Sequence, residues 1–141
     1  HLAFTKGEIS QDEPTLVRVH IAGTLRDVCN VIVPGRTSWS FSRALSQIAK
    51  EGAGVAVLLS GEDYDEDINE SIAGVMNSRK AIPRRHRNAG SDVTIGTRSQ
   101  ILRELGVGKM RLLSYPAKFN AVTGFDLEVT EFVQYEEPVK D

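Results

Sequence analysis

The sequence predicts an α/β fold: a layered domain with a mixed sheet and a strand-rich N-terminal part. Three observations carry that expectation. The continuous apolar run "GVAVLL" at 54–59 follows directly on a helical pattern, as a strand buried on both faces of a sheet does. From residue 37 onward, helix-period and strand-like segments alternate, the pattern of helices layered on a sheet. Ahead of them, residues 1–33 hold short apolar runs broken by polar turns.

The elements follow in order. Strands are expected near 2–5 and over 15–21, separated by the polar stretch "KGEISQDEP". In "LVRVHIAG" (16–23), alternation puts Val17, Val19 and Ile21 on one face and Leu16, Arg18 and His20 on the other. "VCNVIV" (28–33) is a third apolar run, and "PGRT" breaks the chain after it. "TSWSFSRALSQIAKEG" (37–52) is the clearest helix, because Phe41, Ala44, Leu45, Ile48 and Ala49 recur at helical spacing. Thr37 or Ser38 is its candidate N-cap, and Gly52 fits its C-terminal cap. A second helix is expected over 65–80, with Ile68, Ile72, Val75 and Met76 as its apolar stripe. A third spans 97–106, with Ile101, Leu102 and Leu105 inward and Gly106 ending it. "KMRLLS" (109–114) and "FDLEVTEFV" (125–133) read as strands, and Pro116 opens a short helix over 116–122. The tail "QYEEPVKD" is polar and expected to be loose.

Composition narrows the function classes. The 141 residues suit one domain, expected over 1–134 with a polar tail at 135–141. With 17 basic and 19 acidic residues, the net charge of −2 gives no global pull toward nucleic acid or an anionic membrane. No apolar run is long enough to span a bilayer, and no secretory leader is visible. A cytoplasmic setting is the expectation, with neither nucleic acid nor membrane as partner. His1 stands where an initiator Met would be, as expected of a chain that starts mid-protein. Cys29 is the only cysteine, so it makes no internal disulfide and no multi-cysteine zinc site. Inside an apolar run it reads as a small buried hydrophobe.

Each candidate for chemistry has a plain structural account beside it. "EDYDEDINE" (62–70) holds carboxylates that a hard cation would accept, yet acids at a helix start also complement its dipole. "RKAIPRRHR" (79–87), with His86, offers cations for phosphate, yet it lacks interleaved aromatics and reads as a solvated loop. "GVGKM" (106–110) has no Walker pattern and reads as a helix stop before a strand. Arg18 and His20 share one strand face, which suits either an active-site edge or a half-buried structural pair.

Three stretches in order, "PTLVRVHIAGTLRDV", "RALSQIAKEGAGVAVLL" and "QILRELGVGKMRLLSYPAKFNAVTGFDLEV", resemble GTP cyclohydrolase II, over residues 1–134. The resemblance is closest to the degenerate cyclohydrolase-like domain fused behind 3,4-dihydroxy-2-butanone 4-phosphate synthase. It implies a role in riboflavin biosynthesis, a homodimer and a covalently linked synthase domain. Active members are implied to hydrolyse GTP with a zinc ion on three cysteines, plus Mg²⁺.

Against the family's R-V-H-S-E-C, Arg18, Val19 and His20 match, while Ile21, Ala22 and Gly23 replace the rest. The C-x-C of the zinc site falls near "VPGR" (33–36), where no cysteine stands. The arginine motif R-Q-E-G-R-G-I-G is replaced by "SGEDYDEDINE", with acids where a triphosphate would lie. The catalytic Asp and Arg of the third motif align with Ala89 and Ser91, or with Ser91 and Val93. L-L-T-N-N-P-x-K appears one residue shorter as "LLSYPAK", with Ser114 standing for the Thr and Pro116 and Lys118 kept.

The expectation is therefore a domain with no catalytic residues, no metal and no cofactor, its zinc site lost. Its role would be structural, oligomerising or regulatory. The alternatives are a nucleotide or phosphate effector held by Arg18, His20, Ser114 and Lys118, or surviving cyclohydrolase activity.

Overall fold

The computed structural model of the chain describes residues 1–31, 39–60, 67–76, 92–114 and 127–136. Five strands form one sheet: β1 (Leu2–Lys6), β2 (Thr15–Ile21), β3 (Gly54–Leu59), β4 (Lys109–Leu113) and β5 (Glu128–Val133). The order across it is β1-β3-β2-β4-β5. β1 runs antiparallel to β3, and all the other pairings are parallel. This is the mixed sheet that the sequence predicts.

Strand alternation splits the core in two. Val17, Val55, Val57, Leu59, Met110 and Leu112 face one way, and Leu102 of helix α3 (Asp92–Glu104) packs with them. Leu16, Ala56 and Leu113 face the other way, under Ala44 and Ile48 of helix α1 (Phe41–Glu51). Helices thus cover both faces. β3 carries no polar side chain, as a strand buried on both faces requires.

Gly54 opens β3 where α1 and β2 crowd it. A Cβ there would lie 2.8 Å from the Leu16 carbonyl and 2.9 Å from Ile48 Cγ2. Gly54→Ala is expected to destabilise by about 1–3 kcal/mol through overpacking. Urea unfolding midpoints check this, and an unchanged midpoint would show that the strand shifts at no cost.

Helix ends follow their local chemistry. Ser40, not Thr37 or Ser38, caps α1: its Oγ accepts from the Arg43 amide at 3.3 Å. Gly52 ends α1 at φ 87°, as expected of a C-terminal glycine. Gly106 ends α3 at φ 90° in a Schellman arrangement. There the Val107 amide donates to the Leu102 carbonyl, and both side chains are buried in the same cluster. α3 starts at Asp92 rather than 97. Val93, Thr94, Ile95 and Gly96 have weak helix propensity, which is why the sequence places the start later.

Four further expectations change. α2 (Ile68–Met76) leaves Ile68, Ile72 and Met76 exposed, because helical spacing fixes a face but not what covers it. The described part of "VCNVIV" does not extend the core: Val28 is 74% exposed and Val31 37%. Cys29 is exposed, not buried; it directly follows a π-helical turn (Thr24–Val28) in which no residue is buried. The start of the tail is not loose. Tyr135 packs edge-on against Trp39 at 5.2 Å, and the Arg43 guanidinium lies 4.6 Å over its ring. The short helix over 116–122, the basic run with His86 and the arginine-motif region at 61–66 lie outside the described residues.

Candidate functional site

In an open α/β sheet, ligands sit beyond the carboxyl ends of parallel strands where chain direction reverses. Here β2 leads across to β3 on one side, and its other neighbour β4 stands beside β5 on the far side. The β2–β4 crevice is that place, and the Arg18 guanidinium spans it.

Arg18 is committed in every direction. Nη1 donates to the Leu113 carbonyl at the end of β4, at 2.8 Å. Nη2 donates to the Trp39 carbonyl at 3.1 Å, just before α1. Nε donates to His20 Nδ1 at 3.0 Å. Burial, then the like charge of Arg26, push the guanidinium pKa down to about 10, with Asp27 pulling it up. It therefore stays cationic at neutral pH.

A guanidinium only donates, so His20 Nδ1 must present its lone pair. The ring proton then sits on Nε2, which donates to Asp27 Oδ2 at 2.8 Å. His20 is fully buried, with its ring 5.3 Å from that of Phe41. Burial pushes its pKa down; the Asp27 hydrogen bond opposes this, and the Arg18 charge adds to the fall. The imidazole is held neutral in one tautomer.

Asp27 closes the network. Oδ2 also accepts from the Gly23 amide at 2.7 Å and from Arg26 Nη2 at 3.2 Å. Oδ1 accepts from the Phe41 amide at 2.9 Å. Burial alone would raise its pKa, but the bonds from His20, Gly23, Phe41 and Arg26 outweigh that and hold it well below the usual carboxylate range. The π-helical turn makes this possible. It folds the chain back so that the Asp27 amide donates to the Gly23 carbonyl at 2.7 Å while its carboxylate takes the Gly23 amide.

Both perturbed groups weaken the fold in acid. The unfolded chain takes up a proton at the ordinary histidine pKa of roughly 6.5, whereas folded His20 resists it. The His20 contribution is therefore lost as pH falls below that value. The Asp27 contribution is present above the unfolded carboxylate pKa of roughly 3.9 and is lost as pH falls below it. Denaturation midpoints are expected to decline in two stages between pH 8 and 3. A flat profile from pH 8 to 5 would contradict the neutral, buried imidazole.

Of the four anticipated ligand-binding residues, three are described, and they do not all share one face of the sheet. Arg18 and His20 lie on the α1 face of the sheet. Ser114 helps to line a cavity of about 130 Å³ together with Val19, Arg98, Ser99, Leu102 and Met110. That volume is below the roughly 300–1,000 Å³ of ordinary small-molecule sites. Lys118 lies outside the described residues. Sequence reasoning missed Asp27. The signal was present: between Glu13 and Glu51 it is the only carboxylate, in a stretch that also holds Arg18, Arg26, Arg36 and Arg43.

Comparison with known proteins agrees with the resemblance in the sequence. The family model for GTP cyclohydrolase II matches residues 1–134. The 3,4-dihydroxy-2-butanone 4-phosphate synthase of Pseudomonas aeruginosa is 43% identical over 136 residues, covering 96% of this chain and 36% of that protein. The protein of the same name from Pseudomonas syringae pv. tomato is 37% identical over 135 residues, covering 96% and 36%. The riboflavin biosynthesis protein RibBA of Bacillus mycoides is 31% identical over 156 residues, covering 100% and 37%. The chain spans about a third of the length of these relatives. With the family model matched along nearly its whole length, the chain belongs to the GTP cyclohydrolase II family.

Proposed function

We propose that this domain does not hydrolyse GTP, and that it works as a structural, oligomerising or regulatory part of a 3,4-dihydroxy-2-butanone 4-phosphate synthase in riboflavin biosynthesis. The single observation that carries this reading is the position of Gly23. The zinc motif needs a thiolate there, and Gly23 has no side chain to offer. Its amide is spent on Asp27. The one cysteine, Cys29, is exposed six positions further along. Asp27 itself is saturated by four donors, and its neighbours are cations. This donor set does not fit the family's zinc ion.

The names of the relatives support the link to a synthase domain. No helix among the described residues is long and apolar enough to cross a membrane. A homodimer is part of the same reading, on the family resemblance.

Three measurements on the full-length protein and on a version truncated of this domain test it: lyase rate, oligomeric state and stability. Deletion should change at least one of them. No change in all three removes the supporting role. Stoichiometric zinc together with formate release from GTP would overturn the non-hydrolytic reading. The effector alternative predicts calorimetric binding of GTP, GMP or ribulose 5-phosphate that Arg18→Ala abolishes. The commitment of Arg18 to two carbonyls and an imidazole argues against it.

A further inference from the structure

We propose that Asp27 is a metal-independent clasp that closes the connection between β2 and α1. Its carboxylate joins the two ends of that connection. On one side it holds His20 on β2 and the Gly23 amide just beyond the strand. On the other it holds the Phe41 amide, the first residue of α1. Positions 32–38 lie between, so the clasp brackets the stretch in which the family's C-x-C would stand. A zinc ion bound by thiolates at 23 and near 33–36 would cross-link the same connection. In this chain the cross-link needs only protein atoms.

The chemistry suits a carboxylate and nothing shorter or neutral. Oδ1 accepts one hydrogen bond and Oδ2 accepts three, all from donors that cannot reverse. The Nε2 proton of His20 is fixed on that side because Arg18 occupies Nδ1. The Gly23 and Phe41 amides are main-chain donors. An asparagine would turn an NH₂ toward at least one of them, whichever way its amide lay. Hydrogen bonds to a charged acceptor are also the stronger kind, which favours a buried carboxylate as a cross-link.

This inference rests on the Asp27 geometry and stands apart from the question of GTP hydrolysis. Hydrogen–deuterium exchange on the full-length protein tests it at the Gly23 and Phe41 amides. Adding 1,10-phenanthroline to the wild type is expected to leave both rates unchanged. Asp27→Ala is expected to raise both by roughly tenfold or more, since each amide loses a charge-assisted bond. Should Asp27→Ala fail to fold, Asp27→Asn supplies the readout. It should speed exchange at one of the two amides and leave the other slow, because only one of the two acceptor positions is lost. The proposal is overturned if the chelator accelerates exchange at these amides. It is equally overturned if the substitutions leave exchange at both amides unaltered. Neither outcome depends on formate release, so failure here is distinct from failure of the non-hydrolytic reading.

Discussion

Arg18→Ala is expected to destabilise the protein by about 3–5 kcal/mol, the cost of removing one partner from a buried charged network. The loss has three parts. The Leu113 and Trp39 carbonyls lose their shared donor, and His20 Nδ1 loses the proton that fixes its tautomer. Asp27 is then left in a half-buried site with less positive charge around it. Arg18→Lys should recover only part of the loss, because an ammonium cannot reach two carbonyls and an imidazole in one plane. Denaturant midpoints followed by circular dichroism give the numbers. A cost under ~1 kcal/mol would mean that water replaces the guanidinium, in the range of an ordinary exposed ion pair.

Trp39→Ala is expected to cost about 3–5 kcal/mol, as for other large-to-small changes of buried aromatics. Trp39 is 7% exposed and belongs to the α1-side core. Its Nε1 donates to the Val133 carbonyl at 2.8 Å, tying the entry of α1 to the end of β5. Its ring also supports Tyr135. Trp39→Phe keeps an aromatic ring but drops the hydrogen bond, so its cost should fall between zero and that of alanine. Equal costs for the two variants would show that the hydrogen bond, not the packing, carries the effect.

The sheet was legible because its signals are local. The apolar run at 54–59 needs no partner to be recognised as a buried strand, and the alternation in "LVRVHIAG" places its residues on the correct faces. α1 was legible by period and α3 by its Gly106 stop, although the cap of one and the start of the other were misplaced. The apolar stripe of α2 shows the limit. Ile68, Ile72 and Met76 are spaced like a buried face and are exposed in the fold. Periodicity reports what a helix can bury, not what its neighbours provide.

The site was half legible. Arg18 and His20 stand out by sitting on one strand face. What they do depends on partners far away in sequence: Leu113, Trp39 and an aspartate in a π-helical turn. No propensity announces that turn. It exists because the carboxylate it delivers satisfies four donors at once, and that gain is visible only when the strands and α1 are in place. Ser114 matched by motif but lies against the α3 side of the sheet, so a shared motif did not mean a shared pocket.

The parallel pairing of β2 with β4 has a consequence for the order in which the chain becomes stable. Arg18 binds a carbonyl 95 positions downstream, and the Trp39 indole one 94 positions downstream. During synthesis, the first half of the domain emerges before the Leu113 acceptor of Arg18 and the Val133 acceptor of the Trp39 indole exist. Contacts of such long sequence separation form slowly, because loop closure must precede any return. Until Val133 leaves the ribosome, that half is exposed to chaperones and proteases. Slowing translation over the second half of the domain should therefore lower the yield of folded protein.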